Sequence, residues 1–420
     1  FAGGGSIPFE AARMGADVYA SDLNPLASVL NWANLNILSM TNDNIKHINN
    51  FQDRVYDIVC KKFEDWGIEN NEENMKAKYY LYCIETTCPE CKVRVPMLPS
   101  LLISKGYKVV AELRYNDSQN SYDIKINTQV SNNELKIAEK SGTVKNNSLY
   151  CPHCKNSTPI TSLRKDRKVD GKTEYGLRKW KRDEFLSRND DIYSERLYCI
   201  KYIDKYSHKT WDELMKKPAP ATDSTYGTVY YVEPTEEDLH RERKVIDLLT
   251  ERFSEWQEKG YIPSMMIEEG YNTDQPIRER GWQYWHQLFN PRQLLMFGLF
   301  NEVIENEAKS VSEIVVSLLG LNKCIDWNSK LCIWNTARDV VQATFTNQSL
   351  NTLYNYASRG LASIYSVWKY NINNSPQNIQ SITNAADARN ISFESDIWMT
   401  DPPYADAVNY HELTEFFLAW

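Results

Sequence analysis

The spacing of apolar and polar residues predicts a mixed α/β chain. Apolar residues that recur every three to four positions predict helices over 9–14, 26–38, 44–66, 236–258, 290–306, 311–319, 338–345 and 350–370. Period-two alternation, or a short apolar run, predicts strands over 17–21, 108–115, 121–130, 379–383 and 397–399. The last of these strands is expected to be buried, because its residues, Ile-Trp-Met, are all apolar.

The order of these elements divides the chain into four parts. Residues 1–75 and 371–420 predict two pieces of one doubly wound α/β sheet. Between them, residues 76–162 carry paired cysteines and predicted strands. Residues 163–370 begin with a basic segment and continue as a mostly helical insertion.

Composition is that of an ordinary globular protein. The chain has 420 residues, of which 25% are charged and 42% hydrophobic, enough for two or three domains with a sizeable core. The net charge of −8 provides no overall basic field, so any contact with nucleic acid requires a local patch. Because the sequence contains no apolar run of bilayer length, we expect a cytoplasmic protein with no membrane partner.

Two Cys-x-x-Cys pairs are the candidate metal ligands. Cys88 and Cys91 form one pair, and Cys151 and Cys154 form the other, with 59 residues between them. Each pair can place two thiolates on a tight turn, and two such turns complete a tetrahedral structural zinc site. The predicted strands over 108–130 would bring the pairs together; separate redox pairs are the alternative. The other cysteines are expected in the core, with Cys83 as a spare ligand: Cys60, Cys83, Cys199, Cys324 and Cys332.

The segment 164–182 is strongly basic in an otherwise acidic chain. It holds nine Lys/Arg against three Asp/Glu, a net charge of +6, with Tyr175 and Trp180 interleaved. Cations neutralise phosphates and an aromatic ring can stack on an exposed base, so the segment is a candidate nucleic-acid contact; a solvated connector is the alternative. The candidate residues are Arg164, Lys165, Arg167, Lys168, Arg178, Lys179, Lys181 and Arg182.

A glycine-rich turn opens the chain. In Phe1-Ala2-Gly3-Gly4-Gly5-Ser6 the glycines allow a tight turn with its backbone open to a ligand, and Ser6 is expected to cap the helix that follows. The next strand ends at Asp22, where an acid can bind ribose hydroxyls. Pro8 occupies the third glycine position of the nicotinamide fingerprint, so that fingerprint is not met. A nucleoside cofactor and a plain structural turn both remain open here.

A stiff acidic turn follows the last predicted strand. In Asp401-Pro402-Pro403-Tyr404 the prolines remove two backbone donors. The Asp401 carboxylate and the Asp401 and Pro402 carbonyls remain as acceptors, beside the ring of Tyr404. Acceptors can hold an exocyclic amino group while an aromatic ring stacks on its base, which is how enzymes grip a flipped nucleobase. A rigid turn with a capping aspartate is the alternative.

Taken together, the two ends resemble a known family. The strings FAGGGSIPFEAARMGADVYASDLNP and TDPPYADAVNYHELTEFFLAW are similar to motifs I and IV of the amino-group DNA methyltransferases. They most resemble the adenine-specific DNA methylases with an inserted zinc ribbon, often found among anti-phage defence proteins. The resemblance covers about the first 40 and last 45 residues, with a weaker echo at 289–293, and the chain looks cut at both ends.

This resemblance implies a Rossmann-like methyltransferase sheet, S-adenosylmethionine as methyl donor and the N6 amine of adenine in double-stranded DNA as acceptor. It implies a catalytic role for Asp401, Pro402, Pro403 and Tyr404. The order of elements in that family implies target recognition by the insertion at 163–370. The implied cofactor contacts are Phe1, Ala2, Gly3, Gly5, Ser6, Asp22, Asn24 and Asp387. Helix capping by Asn24 and turn capping by Asp387 stay open as alternatives.

Two other functions also stay open. Related tetrapeptides serve enzymes that methylate RNA bases or protein amides. An inert methylase fold could also act as a nucleic-acid-binding subunit beside other defence proteins. Methyl transfer into purified DNA by this protein alone would separate the three.

Overall fold

The structure, a computed structural model, describes residues 1–204, 228–347, 349–370, 372, 379–402 and 409–420. Its helices are α1 Ser6–Arg13, α2 Pro25–Leu38, α3 Asn42–Trp66, α4 Asn132–Lys140, α5 Ile160–Leu163, α6 Glu236–Glu258, α7 Asp274–Arg280, α8 Pro291–Glu307, α9 Val311–Asp326, α10 Leu361–Trp368 and α11 Tyr410–Leu418.

The strands follow the same order along the chain. They are β1 Val18–Asp22, β2 Lys76–Thr87, β3 Arg94–Met97, β4 Leu102–Ser104, β5 Val109–Asn116, β6 Ser121–Asn127, β7 Val144–Lys145, β8 Ser148–Tyr150, β9 Ser157–Pro159, β10 Arg167–Val169, β11 Lys172–Glu174, β12 Ser194–Ile203, β13 Val229–Val232, β14 Trp334–Asn335, β15 Val340–Val341, β16 Asn355–Arg359 and β17 Ser381–Ala385.

A central antiparallel sheet lies inside the insertion. Its order is β13-β12-β2-β16, and β3 also pairs with β2. Along β2, alternate side chains enter two different apolar clusters: Tyr79 and Leu81 lie in one, Tyr80 and Tyr82 in the other. Because both faces are covered, β2 is buried at ten consecutive positions, from Ala77 to Thr86, and lacks the half-buried alternation that marks a surface strand.

The two ends of the chain meet in a parallel pair. Strand β1 pairs with β17 in the register Val18 to Ser381 through Asp22 to Ala385. Helices α1 and α2 pack against this pair through a small apolar cluster that includes Ala12, Ala20 and Leu35. The prediction that a strand near residue 380 resumes the N-terminal sheet is confirmed.

The largest apolar core belongs to the helical layer. It joins α3, α6, α8, α9 and α10, with large buried residues such as Trp256, Phe297 and Trp368. Helix α8 begins where the sequence predicts, because the Asn290 side chain accepts from Gln293 N–H and Gln293 returns the bond in a capping box. Phe416 of α11 also lies in this core, so the end of the chain is fixed to the insertion.

Several local predictions are wrong. Ile397, Trp398 and Met399 form no strand, and their side chains are 76%, 54% and 66% exposed. A helix predicted over 338–345 is instead the short strand β15 and a 3₁₀ turn, and the one over 350–370 is divided into β16 and α10. Ser6 is the first residue of α1 rather than its cap; Gly5 is the N-cap, in a left-handed conformation with φ of 90°.

Within the described part of the chain, no helix combines the length and apolar character that a membrane crossing requires.

Candidate functional site: metal centre, cofactor loop and basic segment

The two cysteine pairs lie on matching turns. Each belongs to a repeated pentapeptide, Cys-Pro-x-Cys-Lys, at 88–92 and 151–155. In each turn the lysine N–H donates to the carbonyl of the first cysteine, at 3.0 Å for Lys92 and 2.9 Å for Lys155, and both lysines have left-handed backbones. The same sequence therefore makes the same knuckle twice, which is how a paired metal site presents two ligands per turn.

The knuckles bring their four sulfur atoms together. The Sγ atoms of Cys88 and Cys154 are 3.8 Å apart, those of Cys91 and Cys151 are 3.6 Å apart, and all four lie within 4.8 Å of one another. A tetrahedral zinc ion with Zn–S bonds of about 2.3 Å separates its sulfurs by about 3.8 Å. The four cysteines are close enough to bind a metal ion such as zinc, and the spacing fits that ion.

Backbone donors face these sulfurs. Burial raises the pKa of the Cys88 thiol, and the N–H groups of Cys91 and Glu90 act against it. Burial likewise raises the pKa of Cys151 to about 12, opposed by the N–H groups of Cys154 and His153. At Cys154 the N–H of Asn156 is the largest cause, and it lowers the pKa. Such donors stabilise thiolates, the form that binds a metal.

The surroundings of the cysteines are mostly apolar. Cys88 and Cys151 are buried in a cluster with Ile84, Val95 and Leu149. His153 is exposed, and its ring lies 4.6 Å from that of Tyr115. Among the remaining cysteines, Cys83, Cys199, Cys324 and Cys332 are buried as expected, whereas Cys60 is half-buried.

The glycine-rich loop closes onto the end of β1. Gly3 N–H donates to Asp22 Oδ2 at 2.9 Å, and Ala2 N–H donates to the Ser21 carbonyl at 2.9 Å. A Cβ atom at Gly3 or Gly4 would meet nothing within 4 Å, so the backbone there is open. An open loop of backbone amides beside a carboxylate can receive a polar ligand such as a nucleoside.

Asp22 ends β1 beside the glycine-rich loop, and Asn24 lies in the turn that follows. Asp22 Oδ1 accepts from Asn24 N–H at 2.9 Å, so each carboxylate oxygen has one backbone donor and spare acceptor capacity. The Asn24 side chain caps α2 by accepting from Leu26 N–H at 2.9 Å. The capping interpretation of Asn24 is thus confirmed, and its amide nitrogen donates to Thr414 Oγ1 at 3.1 Å.

Asp387 lies just past the end of β17, at the same sheet edge as Asp22. The link between the two strand ends is the hydrogen bond from Ala386 N–H to the Asp22 carbonyl, 2.9 Å. Asp387 accepts from Arg389 N–H at 2.9 Å and pairs with the Arg389 guanidinium, which lowers the pKa of its carboxyl. The turn-capping interpretation of Asp387 is confirmed. The cofactor residues predicted from both chain ends therefore meet at one edge.

The tetrapeptide predicted to be catalytic, residues 401–404, is described only in part. Asp401 and Pro402 are exposed, in a segment without regular secondary structure, while Pro403 and Tyr404 lie outside the described residues. Helix α11 begins shortly after them. Its Glu412 carboxylate accepts from the backbone N–H groups of Tyr271 and Asn272 at 3.1 and 2.7 Å, which attaches it to the helical insertion.

The basic segment divides into structural and exposed cations. Arg164 is 7% exposed and pairs with Asp166 at 2.7 Å, and Arg178 pairs with Glu184 and Asp191 at 2.7 and 2.6 Å. These two arginines are occupied by internal carboxylates. Trp180 is buried in the main core and is not free to stack on a base. The exposed candidates are Lys165, Arg167, Lys168, Lys179, Lys181 and Arg182, with Tyr175 44% exposed.

Sequence reasoning missed two contacts that shape the site. The Asn24–Thr414 hydrogen bond joins residues 390 positions apart, and no local sequence pattern predicts it. The second is the pair of knuckle lysines, Lys92 and Lys155, whose ammonium groups donate to the carbonyls of Pro89 and Pro152 at 2.5 and 2.6 Å. The repeated Cys-Pro-x-Cys-Lys string could have revealed these lysines.

Comparison of the chain with known protein families, with curated proteins and with solved structures finds no match.

Proposed function

We propose that this protein is a DNA methyltransferase that transfers a methyl group from S-adenosylmethionine to the N6 amine of adenine, in a phage-defence or restriction-modification setting. One observation carries the proposal. Gly3 N–H, in the glycine-rich loop, donates to the Asp22 carboxylate at 2.9 Å. Asp387 lies at the same sheet edge, although it follows Asp22 by more than 360 positions in the sequence. Such an edge, at the carboxyl ends of parallel strands, is where open α/β sheets bind nucleoside ligands.

The loop residues fit the cofactor that the motifs imply. Asp22 would accept the ribose hydroxyls through its spare lone pairs, and the open backbone at Gly3 and Gly4 would approach the amino-acid part. Phe1, Ala2, Gly5 and Ser6 frame that loop. The Asn31 side chain of α2 donates to the Gly3 carbonyl at 2.9 Å and so attaches the loop to that helix. Asn24 joins the turn after Asp22 to α2 and α11, and Asp387 would border the adenine side. When bound, the cofactor supplies an electrophilic methyl group on a sulfonium.

The protein's own residues then orient the acceptor. Asp401 and the Pro402 carbonyl would accept hydrogen bonds from the exocyclic amine and so orient its lone pair for methyl transfer. In this proposal Tyr404 would stack on the flipped base, and Pro403 would restrict the backbone of the turn. Proximity and alignment would provide most of the rate enhancement. In a direct transfer the new N–C bond would replace the donor's S–C bond, leaving a neutral thioether, and the amine would release one proton to solvent.

The four-cysteine cluster would hold zinc in a structural role. All four tetrahedral positions are supplied by Cys88, Cys91, Cys151 and Cys154, so no position is left for a substrate. The ion would fix β2, β3 and β8 around the knuckles and so present the basic segment that follows. Its exposed cations, Lys165, Arg167, Lys168, Lys179, Lys181 and Arg182, would contact DNA phosphates.

The deciding experiment is methyl transfer by the purified protein alone. Tritiated S-adenosylmethionine is incubated with mixed-sequence duplex DNA, with RNA and with protein, and the label is followed into each. We expect label in DNA only. Label in RNA or protein would support the alternative acceptors, and no label in any acceptor, with DNA still bound, would support an inert binding subunit.

A further inference from the structure

Residues 167–174 form a hairpin that leaves the body of the protein, here called the basic hairpin. Strands β10 and β11 pair in antiparallel register, with Arg167 opposite Glu174 and Val169 opposite Lys172. They are joined by Asp170 and Gly171, whose φ angles are 48° and 79°. Two consecutive left-handed residues make the type I′ turn that matches the twist of a hairpin, and Asp-Gly is one of its preferred sequences.

Both faces of the basic hairpin are open. Every residue from Arg167 to Gly176 is exposed. Because side chains alternate along a strand, Arg167 and Lys172 lie on one face and Lys168 on the other. An isolated two-stranded hairpin gains little stability of its own, and this one packs neither face on a core. Such an element is suited to contact with another molecule.

The root of the hairpin is rigid. The buried Arg164 guanidinium pairs with Asp166 at 2.7 Å and with Glu279 of α7 at 3.7 Å. Gly176 N–H donates to the same Asp166 carboxylate at 3.1 Å, and a Cβ atom at Gly176 would collide with the Arg164 and Lys165 carbonyl oxygens. The hairpin therefore projects in a fixed direction from a closed loop.

The two lysines of the hairpin, Lys168 and Lys172, are available to a ligand. Arg167 pairs with Glu174 across the strands at 2.8 Å, at an exposed position. Lys165, Lys168 and Lys172 form no ion pair with any residue that the structure describes, although the chain has a net charge of −8. Positive charge on two opposite faces suits a ligand that presents negative charge on two sides.

We propose that the basic hairpin enters the major groove of duplex DNA. That groove, about 12 Å wide, admits a two-stranded β-ribbon, and both of its walls are lined with phosphates. Lys168 would contact one phosphate strand, and Lys172, on the opposite face of the hairpin, would contact the other. This inference rests on the proposed function for the choice of DNA as the ligand.

The tip of the hairpin then faces the base edges. Asp170 has an acceptor carboxylate, which can take a hydrogen bond from the amine of cytosine or adenine in the major groove. Val169, 38% exposed, offers an apolar surface for a thymine methyl group. The tip would therefore contribute to sequence preference, whereas the lysines contribute affinity.

The first test measures binding to a mixed-sequence duplex against salt, without cofactor. In the double variant Lys168→Gln/Lys172→Gln we expect the slope of log affinity against log salt to fall by about 2 and the affinity at low salt to fall by roughly tenfold or more. Lys136→Gln/Lys140→Gln on α4 is the matched control, because it removes the same charge from exposed lysines elsewhere. Equal effects in the two double variants, or an unchanged slope, would overturn the proposal.

The second test identifies the groove and the tip. Methyl green, which occupies the major groove, should displace the protein from duplex DNA, and netropsin, which occupies the minor groove, should not. Displacement by netropsin alone, or equally tight binding to single strands, would refute the groove assignment. Asp170→Asn keeps a favoured type I′ turn. It should change the sequences selected from a random duplex pool; an unchanged selection would refute base contact by the tip.

These results separate the inference from the proposed function. Binding through the hairpin without methyl transfer would refute the proposed function alone. Methyl transfer by a protein whose lysine variants bind DNA like the control would refute the hairpin contact alone.

Discussion

The side-chain amide of Asn24 donates a hydrogen bond to the hydroxyl oxygen of Thr414, 3.1 Å away and 390 positions later. Asn24 lies in the turn between β1 and α2, two residues after Asp22, and Thr414 lies on α11, which follows the Asp401 segment. Phe416, on the same helix, is fully buried in the core of the helical layer. Helix α11 therefore joins the loop at the sheet edge to the insertion.

We expect this hydrogen bond to contribute roughly 0.5–1.5 kcal/mol to stability, the usual net value for one such bond. Thr414→Val keeps the side-chain shape and removes the acceptor, and Asn24→Ser keeps a capping oxygen but shortens the side chain. Denaturant unfolding of both single variants and the double variant gives the coupling energy. Thr414→Ser is the control that retains the hydroxyl; additive losses would show that the two residues do not interact.

Metal binding should depend on all four cysteines. We expect about one zinc ion per chain in the wild type and its loss in Cys151→Ser, with reduced thermal stability, because three thiolates leave the tetrahedral site incomplete. Elemental analysis and a zinc-release assay measure the ion. Cys60→Ser, outside the cluster, is the control and should retain it. Full occupancy in Cys151→Ser would mean that the ligands are assigned wrongly.

Asp401→Ala should nearly abolish methyl transfer while cofactor affinity survives. The reason is that Asp401 is assigned to the target amine, whereas Asp22 and the glycine-rich loop are assigned to the cofactor. Calorimetry with S-adenosylmethionine beside a turnover assay separates the two effects. Asp396→Ala, an exposed aspartate in the same segment, is the matched control. Parallel loss of affinity and turnover in Asp401→Ala would contradict its assignment.

His286 should make the protein sensitive to acid. Burial lowers its pKa from 6.5 to about 4, and the neutral ring is held by the Glu184 carbonyl at 3.0 Å and by Gln257 at 3.5 Å. Between pH 6.5 and 4 the unfolded chain binds a proton at this residue that the folded protein does not. The free energy of unfolding should therefore fall as the pH falls through this window, by up to about 3 kcal/mol from this group.

The check is unfolding by urea at several pH values. His286→Gln should be less stable at pH 7 but should lose less stability between pH 6.5 and 4 than the wild type. His240→Gln, at an exposed position on α6, should follow the wild-type pH dependence. If the wild type and His286→Gln lose the same amount, the histidine does not cause the acid sensitivity.

The methylated base should be adenine. The N6 amine of adenine and the N4 amine of cytosine could both be held by Asp401, so the assignment rests on the aspartate and on the order of the two motifs, which resemble those of the adenine enzymes. Digestion of labelled DNA to nucleosides, followed by their separation, identifies the product. We expect the label in N6-methyl-2′-deoxyadenosine. Label only in N4-methyl-2′-deoxycytidine would reject adenine and leave the other assignments in place.

The sequence alone determined the features whose causes are local. The Cys-x-x-Cys spacing predicted both knuckles, and the Asn290 cap predicted the start of α8. Helical periodicity predicted the bounds of α3 and α6 to within two residues. Each of these depends on residues within a few positions of one another, because a tight turn, a cap or an amphipathic face is formed by near neighbours.

The tertiary structure decided what depends on distant neighbours. Strand β2 is central because β12, β16 and β3 pair with it. Its apolar run, Tyr79–Ile84, did not predict that position in the sheet. Ile397, Trp398 and Met399 form no strand despite their composition, since a strand also needs a partner to pair with. Arg164, Arg178 and Lys168 look alike in the sequence. Only the placement of Asp166, Glu184 and Asp191 made the first two structural and left the third exposed.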